Sequence, residues 1–137
     1  MSAFAAMADM AARVLREHAH MPALFNVRID ARRVSLHLAT SQGKLPAMAA
    51  WAQALESAVV VTPCSTFVEI TACKPVVVAG VDGVVTVEVW THLDEADLLL
   101  LAQRVGVVVE TASGAVEITA QRLLKALDGA PIVGRVA

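Results

Sequence analysis

Residues 84–98 read VVTVEVWTHLDEADL, and two periodicities meet inside this stretch. From Val84 to Thr91 apolar side chains recur at every second position, as in a strand with one buried face. At Leu93 the pattern changes. Asp94 suits a helix N-cap, Asp97 stands three positions on where its carboxylate reaches back to the Asp94 amide, and Leu93 and Leu98 occupy the two staple positions. Gly106 supplies the stop about a dozen residues later. A strand running directly into a capped helix anchors the rest of the chain.

Upstream, Asp82-Gly83 suits a type I′ turn joining Val84–Thr91 to an apolar run from Pro75 to Val78. Before that, Thr62-Pro63-Cys64-Ser65 reads as a type I turn between strands at Val59–Thr62 and Thr66–Ala72. A helix carrying Leu45, Met48, Ala52 and Leu55 on its buried stripe, with Pro46 in its first turn and Trp51 on its flank, precedes them and ends near Glu56. Ser41-Gln42-Gly43 breaks the chain ahead of it. Phe25–Asp30 and Val34–Leu38 form a hairpin around Ala31-Arg32, with Arg28, Asp30, Ser35 and His37 on its wet face. Residues 3–19 read as an amphipathic helix with Phe4, Met7, Ala11, Val14 and Leu15 on one side.

Downstream, Val107–Thr111 and Ala115–Ile118 flank Ser113-Gly114 as a short hairpin. A last helix capped by Thr119 stops at Asp128-Gly129, ahead of Pro131. Strand runs joined by turns predict an α+β fold: a mainly antiparallel sheet of five to six strands, helices on one face, and a short C-terminal hairpin and helix. The 137 residues suffice for one domain, 1–137. The pentapeptide VEITA occurs at Val68–Ala72 and at Val116–Ala120, a chance match in so Val- and Ala-rich a chain.

Composition narrows the function. Ala and Val make up 48 residues, against five Phe and Trp and no Tyr. Eight Arg against three Lys and a single Asn26 suggest a GC-rich bacterial genome, as in actinobacteria. Charged residues are 18%, below the roughly 25% of an average soluble domain, and mean hydropathy is +0.63. A surface so poor in charge suits a partner that covers part of it. With 11 basic and 13 acidic residues, the net charge of −2 argues against a polyanion binder. No apolar run is long enough to span a bilayer. Met1–Met10, which contains Asp9 and lacks a basic start, reads as helix and not as a secretory signal. Cys64 and Cys73 fit no CxxC or zinc-ribbon spacing and read as buried free thiols of a cytoplasmic protein.

The chain has no GxxxxGK[ST], GxGxxG, GxSxG or HExxH motif. No cofactor or metal is expected. His18 and His20, two apart near a helix C-terminus, do not face each other and read as favourable terminal charge. Arg28, Arg32 and Arg33 form a basic cluster that fits an exposed hairpin better than a nucleic-acid site.

What remains comes from alternation. If Val34, Leu36, Leu38, Val68, Ile70, Val85, Val87 and Val89 face the helices, the opposite face presents Arg28, His37, Phe67, Glu69, Thr71, Glu88, Trp90 and His92. This mixture suits a docking surface for a protein partner, and the leading expectation is a small non-catalytic interaction protein that forms a homo-oligomer or joins a larger assembly. The alternative is a small-molecule receptor or enzyme. In it Glu69 or Glu88 acts as base, His37 or His92 as acid-base partner, Trp90 and Phe67 as walls, and Arg28 as anion clamp. A DNA-associated regulator is disfavoured, because Asp94, Glu95 and Asp97 would repel phosphate from the capped helix.

Overall fold

A computed structural model describes residues 2–40 and 43–128. Its elements, in order, are α1 (Ala3–Glu17), β1 (Leu24–Ile29), β2 (Arg33–Leu38), α2 (Lys44–Ala54), β3 (Val59–Pro63), β4 (Val68–Val77), β5 (Val84–Leu93), α3 (Glu95–Leu100), β6 (Val116–Ile118) and α4 (Ala120–Leu127). The six strands form one sheet in the order β1-β2-β5-β4-β3-β6. Every neighbouring pair is antiparallel except β2–β5, which is parallel. The fold is α+β, with its helices on one face of the sheet.

Alternation explains that sidedness. One inward row crosses all six strands in register, Val27, Leu36, Val89, Ala72, Val59 and Ile118. All of these but the edge residue Val27 are fully or almost fully buried. On α2 the apolar side chains go all the way round: Leu45, Ala47, Met48, Ala49, Trp51 and Ala52 are all buried. Such a helix lies between two layers rather than on a surface, here the sheet on one side and α4 on the other. Trp51 is therefore core and not flank. Its indole Nε1 donates to the Pro22 carbonyl at 3.0 Å, and the His18 ring lies 5.4 Å from it. On α1 the buried residues are Ala6, Met7, Met10 and Ala11. Phe4 and Leu15, expected on that stripe, are exposed because only the middle turns of the helix are covered.

The strands depart from expectation at the turns. Pro63 pairs with Val68 inside the ladder, so the β3–β4 turn falls on Cys64–Phe67, closed by the Cys64 N–H donating to the Phe67 carbonyl at 2.8 Å. The runs expected at 66–72 and 75–78 are one strand, β4, continuous through Pro75. Proline fits there because β3 begins at Val59 opposite Ala72, which leaves the side of Pro75 away from β5 unpaired. The β4–β5 connection is no two-residue type I′ turn. Only its glycines, Gly80 and Gly83, have positive φ; Asp82 does not. Gly83 also admits the Arg32 guanidinium, which a Cβ there would displace.

At the C-terminal side the Asp94 carboxylate accepts from the Asp97 N–H and the Asp97 carboxylate from the Asp94 N–H, each at 3.0 Å, as the spacing predicts. The helix continues as a π turn over Leu101–Val105 and closes at Gly106, φ +77. The expected hairpin around Ser113-Gly114 does not form. Residues 107–110 take no strand partner, and β6 instead pairs with β3, whose outer edge the β3-β4-β5 meander leaves free. Thr119 caps α4, its hydroxyl accepting from the Arg122 N–H at 3.1 Å, and the Arg122 guanidinium donates to the Val105 carbonyl at 3.0 Å. The stop expected at Gly129 and Pro131 lies outside the described residues.

Candidate functional site

The face of the sheet away from the helices carries an outward row as regular as the buried one. Asn26, His37, Trp90, Thr71, Val60 and Glu117 are successive register partners across β1, β2, β5, β4, β3 and β6. Among the described residues no helix covers this row, and none of its side chains is fully buried. All seven residues singled out from the sequence, Arg28, His37, Phe67, Glu69, Glu88, Trp90 and His92, lie on this face: a period of two leaves the six on strands no other choice once the valines turn inward, and Phe67, in the β3–β4 turn, joins them against the His92 ring.

Four rings stand side by side there. His37 on β2 and Trp90 on β5 stack in parallel, centroids 4.1 Å apart and planes 2° apart. The Trp90 ring lies 5.3 Å from that of His92, which in turn lies 4.2 Å from Phe67. Phe67 remains 39% exposed. The Lys44 ammonium, at the start of α2, donates to the His92 carbonyl at 2.7 Å and places a positive charge at this end of the ladder. Burial, then the charges of His92 and Lys44, hold the His37 imidazole below its ordinary pKa.

Beside the ring pair lies an open concavity of about 370 Å³ whose lining includes Ser35, His37, Trp90, Arg33, Glu69 and Glu88. Arg33 and Glu88 form a charge-assisted hydrogen bond across the parallel seam, where Ser35 is the register partner of Glu88. Glu88 is only 8% exposed. Arg33 was expected merely as part of an exposed basic cluster; its place in the 33, 35, 37 alternation was the available sign that it shares a face with His37. Asn26, Cys73 and Glu117 were also missed; Asn26 stands in phase with Arg28 and Cys73 with Glu69, whereas β6 carried no residue that was found.

The ion pair changes what Glu88 can do. The Arg33 guanidinium occupies its carboxylate, which leaves Glu69 as the other glutamate of the concavity. Burial raises the Glu69 pKa, and the Glu88 charge adds to that against the opposing His92 and Arg33. Glu69 is the register partner of His92, yet among the described residues no hydrogen bond joins them. Arg28, on the edge strand, points its guanidinium at Asp30, 4.0 Å away, with both side chains largely exposed.

Cys64 and Cys73 are free and half-buried, less enclosed than expected. Cys73 pairs in register with Glu88 on the open face, and burial raises its thiol pKa. Among the described residues no three His, Cys, Asp or Glu side chains gather as a metal site requires, and no helix is long and apolar enough to cross a membrane. No protein-family model, curated protein or solved structure matches this chain.

Proposed function

We propose that this chain is a small non-catalytic binding protein of the cytoplasm that works by docking a protein surface, in a homo-oligomer or a larger assembly, on the open face of its sheet. The observation that carries the reading is the His37–Trp90–His92–Phe67 ring ladder lying uncovered in the middle of that face. Aromatic rings beside an arginine are the composition of interface anchors, and the ladder has polar and charged residues around it as an interface rim does. Free thiols suit a reducing compartment.

Trp90→Ala tests the reading. Truncating a central aromatic anchor costs about 2 kcal/mol or more of binding, so the apparent particle size should fall on dilution at concentrations where the wild type stays assembled, with native far-ultraviolet circular dichroism. A folded variant with unchanged assembly would sink the proposal.

The concavity favours a second reading, a receptor for a small polar ligand, since its volume falls within the roughly 300–1,000 Å³ typical of ligand sites. A metabolite thermal-shift screen separates the two, because a ligand at a hundred times its Kd stabilises by about 2.7 kcal/mol.

A further inference from the structure

We propose that a second copy of this chain closes the open face, related to the first by a two-fold axis that runs parallel to the strands between β4 and β5. This rests on the docking reading above and adds the partner's identity and orientation.

The outward charges are segregated along the strand order. On the β1–β2 side stand Arg28 and Arg33, with Asp30 at the edge; on the β4-β3-β6 side stand Glu69 and Glu117, with no outward cation in the ladder there. Arg33 is engaged with Glu88 between the two halves. Arg28 reaches only the exposed Asp30 at 4.0 Å, a contact weak enough to exchange. Glu117 is exposed and has no cationic partner among the described residues.

Two sheets that meet face to face as identical copies must be related by an axis lying in their interface. An axis across the strands would lay each strand over its own copy, β1 with its Arg28 over β1 and β6 with its Glu117 over β6, and like charges gathered at the same edge repel. An axis along the strands reverses the order β1-β2-β5-β4-β3-β6. It then lays β1 over β6, β2 over β3 and β5 over β4. Asn26 comes over Glu117 of the other copy with Arg28 two positions along β1, about 7 Å away at strand spacing, His37 meets Val60, and Trp90 meets Thr71, a side chain small enough to receive the indole. Each of these contacts occurs twice. Strand directions stay aligned, as sheet-on-sheet packing requires.

The area is sufficient. Strands of six, six, ten, ten, five and three residues across the sheet, at about 3.3 Å per residue and about 4.8 Å per strand, cover about 630 Å². The face is thus at the lower end of the range around 800 Å² that each partner contributes to a standard interface.

The test is sedimentation equilibrium of the full chain from micromolar to millimolar concentration, comparing the wild type with Trp90→Ala, Arg28→Glu, Glu117→Arg and the Arg28→Glu/Glu117→Arg double variant. Arg28 and Glu117 are exposed, so their variants should fold, which circular dichroism checks. We expect a wild-type dimer weakened about tenfold or more in Kd by each single reversal, since each places two like-charge pairs in the interface, and largely restored in the double variant. A dimer weakened by Trp90→Ala but indifferent to the reversals, or not rescued by the double variant, overturns the proposed axis and leaves the docking reading standing. A dimer indifferent to Trp90→Ala overturns both. A wild type that stays monomeric at millimolar concentration overturns the second copy as partner and leaves the face to another protein.

Discussion

At the residue scale, the informative contact is the His37–Trp90 stack, because an imidazolium quenches indole emission and a neutral imidazole does not. His37 holds its proton less tightly in the folded chain than in the unfolded one, chiefly through burial and then through His92 and Lys44. The sign follows: a depressed folded value means that the neutral ring's contribution to stability is present above the ordinary imidazole pKa, about 6.5, and is lost as pH falls through the folded value. Emission of the wild type should therefore fall with a midpoint below about 6.5, and that component should vanish in His37→Gln. The His18–Trp51 and His92–Trp90 contacts remain in the variant, so the difference between the two proteins reads what His37 adds. A wild-type midpoint above the ordinary value, or the same titration in the variant, would contradict the assignment. The seven candidate side chains could be placed on one face from sequence because alternation is local. The engagement of Glu88 by Arg33 could not, since it exists only where β2 lies beside β5, a pairing between residues some fifty positions apart.

At the scale of elements, local capping chemistry was legible. Asp94→Ala removes the acceptor of the Asp97 N–H and should cost about 1 kcal/mol, lowering the melting temperature by about 4 °C without altering assembly. An unchanged melting temperature would mean that the cap does not hold α3. Residues whose outcome depends on distant neighbours were less legible. Pro75 reads as a strand boundary, yet it sits inside β4 because no partner lies beyond β4 at that point. Trp51 falls off the expected stripe of α2, yet it is buried, with its indole donating to the Pro22 carbonyl and the His18 ring beside it, neighbours about thirty residues back along the chain. The two copies of VEITA make the same point. At Val68–Ala72 the pentapeptide is strand throughout, while at Val116–Ala120 it is strand for three residues, then a helix cap and the first residue of α4. The neighbours of a segment, not its letters, decide between these outcomes.

For the whole molecule, self-docking links thermal stability to concentration, since a partner that binds only the folded chain stabilises it by mass action. A hundredfold increase in protein concentration through the dissociation range should raise the wild-type melting temperature by several degrees, and Trp90→Ala should flatten that dependence. A wild-type melting temperature independent of concentration would count against a second copy. The fold class was legible from the order of strand and helix signals. The strand order was not, because turn chemistry specifies only sequential hairpins, whereas β2 and β5 are joined in parallel across some fifty intervening residues. That seam governs the route to the native state. The β1–β2 hairpin and the β3-β4-β5 meander each close over short loops and can form early, but Val34 meets Val87 only after all of the intervening chain, α2 included, has been gathered in. Closing the seam should therefore limit the folding rate, since the entropy of a long loop must be surrendered before its contacts form. Amides along it, such as that of Thr86, which donates to the Arg32 carbonyl at 2.9 Å, should exchange with solvent mainly when β2 parts from β5, which hydrogen exchange would read.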